Sequence, residues 1–242
     1  MGILKHHESQ IWYYACSRWY KSGNDNNHNV GELIGLYVIQ IWLHTFKVGN
    51  YENRIKTELR YLDEVLNKLI ARSGAYIEQS SNYTRIVAEF LMIFDLIHNC
   101  LDSSRAIAWA NKNYLGRLSH YLNQIAYHGD LLNFGDNDDG QVLLSMSSHG
   151  HIEHILSYCK DKGICVGEND YADASQWLYS SHDGKDIKIF TRIGRFAYFV
   201  EGAFIHAHND ILSVLLSAKG SNIFIDKGCY FYNSGKEIRK EK

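Results

Sequence analysis

The spacing of apolar residues changes once along this chain, and the change dictates two kinds of architecture in series. Over roughly the first 160 residues the apolar side chains recur at i, i+3, i+4 and i+7, the rhythm of an amphipathic helix. Val30, Leu33, Ile34, Tyr37, Val38, Ile41 and Trp42 make one such stripe, and Ile55, Leu59, Leu62, Leu66, Leu69 and Ile70 a second. Tyr83, Ile86, Val87, Phe90, Leu91 and Phe94 follow a Ser80-Ser81-Asn82 start signal. Further stripes run through Ile107, Leu115, Leu118, Leu122 and Ile125, and through Ile152, Ile155, Leu156 and Cys159 ahead of Gly163. Successive helices with modest connections predict an all-α layer built from hairpins.

After Gly163 the period becomes two. Ile187, Ile189, Thr191 and Ile193 alternate with polar or charged neighbours, which predicts a half-buried strand. Residues 195–200, 211–217 and 222–226 are further strand candidates, separated by glycines at 184, 194, 202, 220, 228 and 235. The pattern stops in Lys236-Glu237-Ile238-Arg239-Lys240-Glu241-Lys242. Four or five strands rarely complete a sandwich, so an antiparallel sheet cut short is expected. The boundary divides the chain into a helical portion, 1–162, and an antiparallel β portion, 163–242.

Charge and composition exclude several classes of partner. The formal net charge is −2 with Lys and Arg scattered, so there is no basic field for nucleic acid. No apolar run approaches the ~18–20 residues of a membrane span, and Met1 to His7 lacks the apolar core of a secretory signal. The five cysteines, Cys16, Cys100, Cys159, Cys165 and Cys229, form no CxxC or metal-ligand spacing and read as small buried side chains. Proline is absent, so turns must rest on Gly, Asn and Asp.

Three places concentrate polar residues beside strong hydrophobic patterns. Ser22 to Asn29 and Tyr76 to Tyr83 both run into helices, and taken alone they read as turns and caps, with Glu78, Ser80 and Asn82 as capping candidates. His206-Ala207-His208-Asn209-Asp210 precedes an apolar strand and is harder to explain that way. In a strand His206, His208 and Asp210 share one face. Three ionisable groups beside a buried run are costly unless paired, hydrated or bound to metal. A His-x-His pair is a common metal-ligand spacing, and one imidazole can equally serve as acid or base.

Taken together, ordered blocks resemble motifs of the heparinase II/III-like polysaccharide lyases. Asn26-Asn27-His28 with Gly31 to Leu36 is similar to the family's Asn-His helix start. Glu78-Gln79-Ser80 with Asn82-Tyr83 resembles its Glu-x-Ser-x-x-Tyr block. His206 to Ser213 and Asp226 to Tyr232 resemble its two sandwich motifs, and Phe134 to Gly140 resembles a loop found in these proteins. Two positions depart from the pattern: Ile205 stands where a Gly is usual, and Asp226-Lys227-Gly228-Cys229 replaces Asp-Pro-Gly-Thr.

The resemblance implies an incomplete N-terminal α/α toroid followed by a truncated antiparallel β-sandwich, an α+β multidomain arrangement. It implies cleavage of a uronic-acid-containing polysaccharide, such as a glycosaminoglycan or alginate, by β-elimination. Asn27 and His28 match the carboxylate-binding pair, Tyr83 the catalytic tyrosine, and His206 a catalytic or substrate-binding histidine. Glu78 and Asn82 are implied substrate-binding residues. His208 and Asp226 match two ligands of a mainly structural divalent metal, Zn or Ca, whose third ligand is expected beyond the chain's end. The partner implied is an acidic polysaccharide, and the family is often periplasmic or secreted. Two other readings compete: a non-catalytic sugar-binding or polysaccharide-assembly protein of the same fold, and a toroid glycoside hydrolase using Glu78 with Asp136 or Asp138. By itself, Asp136 to Asp139 reads as a solvated loop or helix cap.

Overall fold

A computed structural model describes residues 2–13, 25–101, 113–136, 142, 152–164, 177–182, 186–192, 206 and 212–227. Helices come first: α1 (Gly2–Ile11), α2 (Asn27–Thr45), α3 (Glu52–Leu69), α4 (Ser81–Leu101), α5 (Tyr114–Gln124) and, after a hairpin, α6 (Glu153–Asp161). The hairpin pairs β1 (Ala126–Tyr127) with β2 (Asp130–Leu131). A four-stranded antiparallel sheet follows, in the order β3 (Trp177–His182), β4 (Ile187–Arg192), β5 (Val214–Ala218), β6 (Ser221–Phe224). The change of period therefore marks a real change of architecture, helix-rich and then antiparallel. The α1 helix, the β1–β2 hairpin and β3 were not among the expected elements. Residues 195–200, Ile107 and Ile193 lie outside the described residues.

Helix α4 is the hub of the helical layer. It packs against α2, α5 and α6, and α2 in turn packs on α1 and α3. Every residue from Ser81 to Glu89 is buried, polar ones included. The stripe of Tyr83, Ile86, Val87 and Leu91 accounts for one face only. The opposite face keeps Arg85 and Glu89, joined at 2.7 Å, with Glu89 also meeting His154 Nε2 at 3.2 Å and accepting the Val142 N–H at 3.0 Å. Those partners hold the Glu89 carboxyl below its ordinary range although burial pushes the other way. A second buried polar group fixes α1. Glu8 accepts from Gln40 Nε2 at 2.9 Å and from Arg54 Nη1 at 2.8 Å. Beside it burial, then the Glu8 charge, push the Glu58 carboxyl well above its usual range.

Two corrections concern faces rather than elements. On β4 the fully buried residue is Phe190, 1% exposed, while Ile187, Ile189 and Thr191 are half-buried. Phe190 wins because its ring stacks on Phe134 of the helical layer, centroids 5.5 Å apart, opposite buried Leu215 on β5. Cys100, expected inside, is exposed on the last turn of α4, whereas Cys159 is buried as expected.

The sheet is fastened to the helices along a seam. Lys188 Nζ donates to the Ala126 carbonyl, and burial pulls its ammonium down to about 8. Tyr127 Oη accepts the Gly220 N–H at 2.8 Å, and His128 Nε2 meets Asp186 Oδ1 at 3.0 Å. The segment Phe134–Gly135–Asp136 carries the rest of the seam. Phe134 exchanges contacts with Ser81, whose N–H donates to the Phe134 carbonyl at 3.1 Å. The Gly135 N–H donates to Asp226 Oδ2 at 3.1 Å.

Gly135 has φ +71, and a Cβ there would lie 2.6 Å from the Gln79 carbonyl oxygen and 2.8 Å from that of His206. Gly163, with φ +62, has nothing within 4 Å of its would-be Cβ. Gly163→Ala should therefore cost only the left-handed conformation, about 1–2 kcal/mol. Gly135→Ala should cost clearly more, because backbone on both sides of the seam must move. Urea unfolding midpoints of the two variants check this, and equal losses would contradict the tight seam.

Candidate functional site

The site grows from the start of α4. Ser80 caps that helix: its Oγ accepts the Tyr83 N–H at 3.3 Å and donates to the Asp136 carbonyl at 2.7 Å. Capping thus ties the first turn of α4 to the 134–136 segment and places Tyr83, 5% exposed, beside that segment. Its ring lies flat on the imidazole of His206, with centroids 3.7 Å apart and planes 12° from parallel.

His206 is not on a strand. Its φ of +67 puts it in the left-handed region, so strand alternation does not govern where its ring points. The reason is a two-point clasp to Asp136. The Asp136 N–H donates to the His206 carbonyl at 2.8 Å, and His206 Nδ1 meets Asp136 Oδ2 at 3.1 Å. Left-handed non-glycine residues cost free energy and persist where surrounding contacts over-determine them. Asp136, expected in a solvated loop or cap, has a side chain only 19% exposed and engaged with His206. An Asp in a Gly-Asp-Asn stretch carries no local signal of such a partner. His208 and Asp210 lie outside the described residues, as do residues 137–140.

Asn27 and Glu78 form the adjoining part. Asn26 caps α2, its Oδ1 accepting from His28 N at 3.0 Å and Asn29 N at 3.4 Å. This leaves Asn27 on the first turn, where its N–H donates to Glu78 Oε1 at 3.2 Å and its Nδ2 to Glu78 Oε2 at 3.1 Å. A carboxylate at a helix N-terminus is favoured by the unpaired N–H groups there. Glu78 is 2% exposed, and Asn27 is 6% exposed. Burial pushes the Glu78 carboxyl up to about 7, against the opposing pull of His206 and of the two Asn27 bonds. The Tyr76 hydroxyl feels the Glu78 charge without reaching hydrogen-bond geometry, and burial raises it well above its ordinary value.

The two halves of the site meet at Gly135, whose would-be Cβ lies 2.6 Å from the carbonyl oxygen of Gln79, next to Glu78 in the chain, and 2.8 Å from that of His206. His28 is exposed at the edge of α2, within electrostatic reach of Glu32. Asn82 is buried, and its Nδ2 donates to Asn133 Oδ1 at 3.2 Å. Of the two residues matched to a metal site, Asp226 accepts the Gly135 N–H and His208 is not described. Among the described residues no three His, Cys, Asp or Glu side chains gather as a metal centre would require. Among them, too, no helix is long and apolar enough to cross a membrane.

The arrangement can do acid–base work. A phenol and an imidazole share one stacked contact, an amide donor is held by a buried carboxyl, and the imidazole has a carboxylate behind it. Because the raised Glu78 carboxyl holds its proton in the fold to a higher pH, its contribution to stability is fully present below about 4.5. It is lost as pH rises through about 7. Glu78→Gln should flatten this dependence, so the wild type should lose ~3 kcal/mol more than the variant across that window. Unfolding free energies at a series of pH values measure it, and parallel profiles would contradict the buried proton.

Comparison with known proteins agrees with the motif resemblance. Residues 167–241 match the family model described as "Heparinase II/III-like, C-terminal". Among solved structures, the chain resembles a mutant of the heparan sulfate lyase HepC from Pedobacter heparinus, with TM-score 0.65 and 16% identity, over 100% of this chain and 38% of that one. The HepC structure from the same organism gives TM-score 0.61 and 15% identity over 97% and 36%. A heparinase III gene product with methylated lysines gives 0.62 and 14% over 86% and 34%. The chain thus spans roughly a third of the length of each solved relative. Identities this low carry the fold alone. A search of curated protein sequences finds no match.

Proposed function

We propose, from the premise that this is a heparinase II/III-like chain, that it carries the catalytic face of a polysaccharide lyase acting on a uronic-acid-containing polysaccharide. The observation that carries the reading is the stack of Tyr83 on His206, which joins an acid–base pair across the seam between helices and sheet. We read the helices as part of an α/α toroid and the sheet as part of a β-sandwich. The packing of successive helices on one another and the antiparallel pairing of the strands support this.

In β-elimination the C5–H bond breaks, its electron pair forms the C4–C5 double bond, and the C4–O bond breaks with its electrons leaving on oxygen. As the proton leaves, charge builds on the uronate carboxylate. Donors placed where that charge develops lower the barrier. Asn27 is the donor in this reading. One N–H of its Nδ2 is spent on Glu78, which fixes the amide and leaves the second to aim at substrate. His28 supplies a further donor from the exposed edge of the same turn. Glu78 acts on substrate through Asn27, and Asn82, beside Tyr83 on the chain, is assigned to substrate binding.

The Tyr83 hydroxyl gives its proton to the departing oxygen, and in a syn elimination it also takes the C5 proton. His206 takes that proton in an anti elimination. The relatives named as heparan sulfate lyases point to an acidic glycan, and heparan sulfate heads the panel of substrates. It is joined by hyaluronan, chondroitin, alginate and bacterial exopolysaccharides. The expected signature is ultraviolet absorbance from an unsaturated uronate. Reducing sugar without that absorbance would mean hydrolysis by the carboxyl pair, and binding without cleavage would mean a non-catalytic sugar-binding or assembly protein.

Tyr83→Phe keeps the ring and its stack, so it should fold normally while lowering kcat by at least about 100-fold, the scale of a lost acid–base group. Undiminished turnover would remove Tyr83 from the mechanism. Asn27→Ala should raise the barrier by about 3 kcal/mol, the scale of a lost oxyanion donor. Steady-state kinetics on the responsive substrate read both.

A further inference from the structure

We propose that Asp136 is a positioning residue that sets the tautomer and ring plane of His206. The inference deepens the lyase reading and rests on it for its kinetic consequence, though not for its structural one. An ionised carboxylate can only accept a hydrogen bond, so at 3.1 Å from Asp136 Oδ2 the His206 Nδ1 is the nitrogen that carries the hydrogen. In the neutral ring that assignment places the lone pair on Nε2, on the side of the imidazole turned away from Asp136. Nε2 is then the atom that receives the substrate proton, and Nδ1–H···Oδ2 supports the imidazolium that results.

The backbone that carries this carboxylate is itself held at three points. Asp136 N–H binds the His206 carbonyl at 2.8 Å, its own carbonyl accepts Ser80 Oγ at 2.7 Å, and the preceding Gly135 N–H is bound by Asp226 Oδ2 at 3.1 Å. The Tyr83 ring closes one face of the imidazole at 3.7 Å. His206 and Asp136 are 10% and 19% exposed, so little water competes for their contact. Within this clasp Asp226 has its own part. It anchors the Gly135 backbone and so keeps Asp136 at hydrogen-bond distance from the imidazole.

Long-range proton–nitrogen correlation spectra of the imidazole test the proposal directly. The wild-type His206 should show the Nδ1–H tautomer in its neutral form, and an Nε2–H majority would overturn the proposal. Asp136→Asn leaves the backbone contacts of residue 136 in place but replaces the accept-only carboxylate with an amide that can donate. It should shift His206 toward the Nε2–H tautomer, and an unchanged spectrum would also overturn it. The wild-type spectrum alone decides the assignment, whether or not the variant folds. On a responsive substrate, Asp136→Asn should lower kcat with KM little changed, by an amount approaching about 10,000-fold, the scale known for an orienting carboxylate lost behind a catalytic histidine. If the tautomer moves and kcat does not, Asp136 orients a ring that catalysis does not use, and the kinetic half falls. If Tyr83→Phe retains full activity while the tautomer result holds, the fault lies in the lyase mechanism and not in the clasp.

Discussion

Three consecutive residues, Phe134, Gly135 and Asp136, hold the site together because each bonds to a different neighbour. Phe134 carries the apolar contact of helix layer to sheet by stacking on Phe190, and its carbonyl caps the start of α4 through Ser81. Gly135 passes where a Cβ cannot fit, with backbone oxygens of Gln79 and His206 on either side. Asp136 grips His206 by main chain and side chain at once. Remove the close passage at Gly135 and the other two contacts lose their geometry. The stacked pair of Tyr83 and His206 is therefore a consequence of how the two architectures meet, more than a property of either.

The buried carboxyls Glu58, Glu78 and Glu89 follow one rule: each is bonded or is pushed toward its neutral form. Glu89 keeps its charge because Arg85, His154 and the Val142 N–H surround it. Glu58, without such partners and near Glu8, is pushed toward the neutral acid. Glu78 lies between these cases, with two Asn27 bonds that offset only part of its desolvation. That intermediate state suits a group whose work is to hold an amide in place, since both protonation states can accept from Asn27.

Much of the helical layer was legible from apolar spacing, because the stripes at Val30 to Ile41 and Ile55 to Ile70 report one buried face each. The periodicity hides that α4 is buried all round its first turns, since Ser81, Asn82, Thr84, Arg85 and Glu89 look like a solvated face. On β4 the alternation was visible but its sense was not, because the choice between Ile189 and Phe190 depends on where Phe134 lies. Asn27, Glu78, Tyr83 and His206 were recognisable as an ordered set of motifs. Their contacts were not. A His-x-His stretch looks like a strand, and nothing local announces that His206 turns left-handed to meet Asp136. The α1 helix, polar on most sides, lacked the stripe that would have marked it: its buried residue is Glu8, with Ile11 packed against the core at its end.

Tyr83 and His206, far apart in the chain, share one stacked contact across the seam. Ring-current shifts of the His206 carbon-bound protons measure it with no need for substrate. With the rings 3.7 Å apart and nearly parallel, those protons should resonate upfield in the wild type and return downfield in Tyr83→Leu. Ordinary imidazole shifts in the wild type, unmoved by the substitution, would contradict the account.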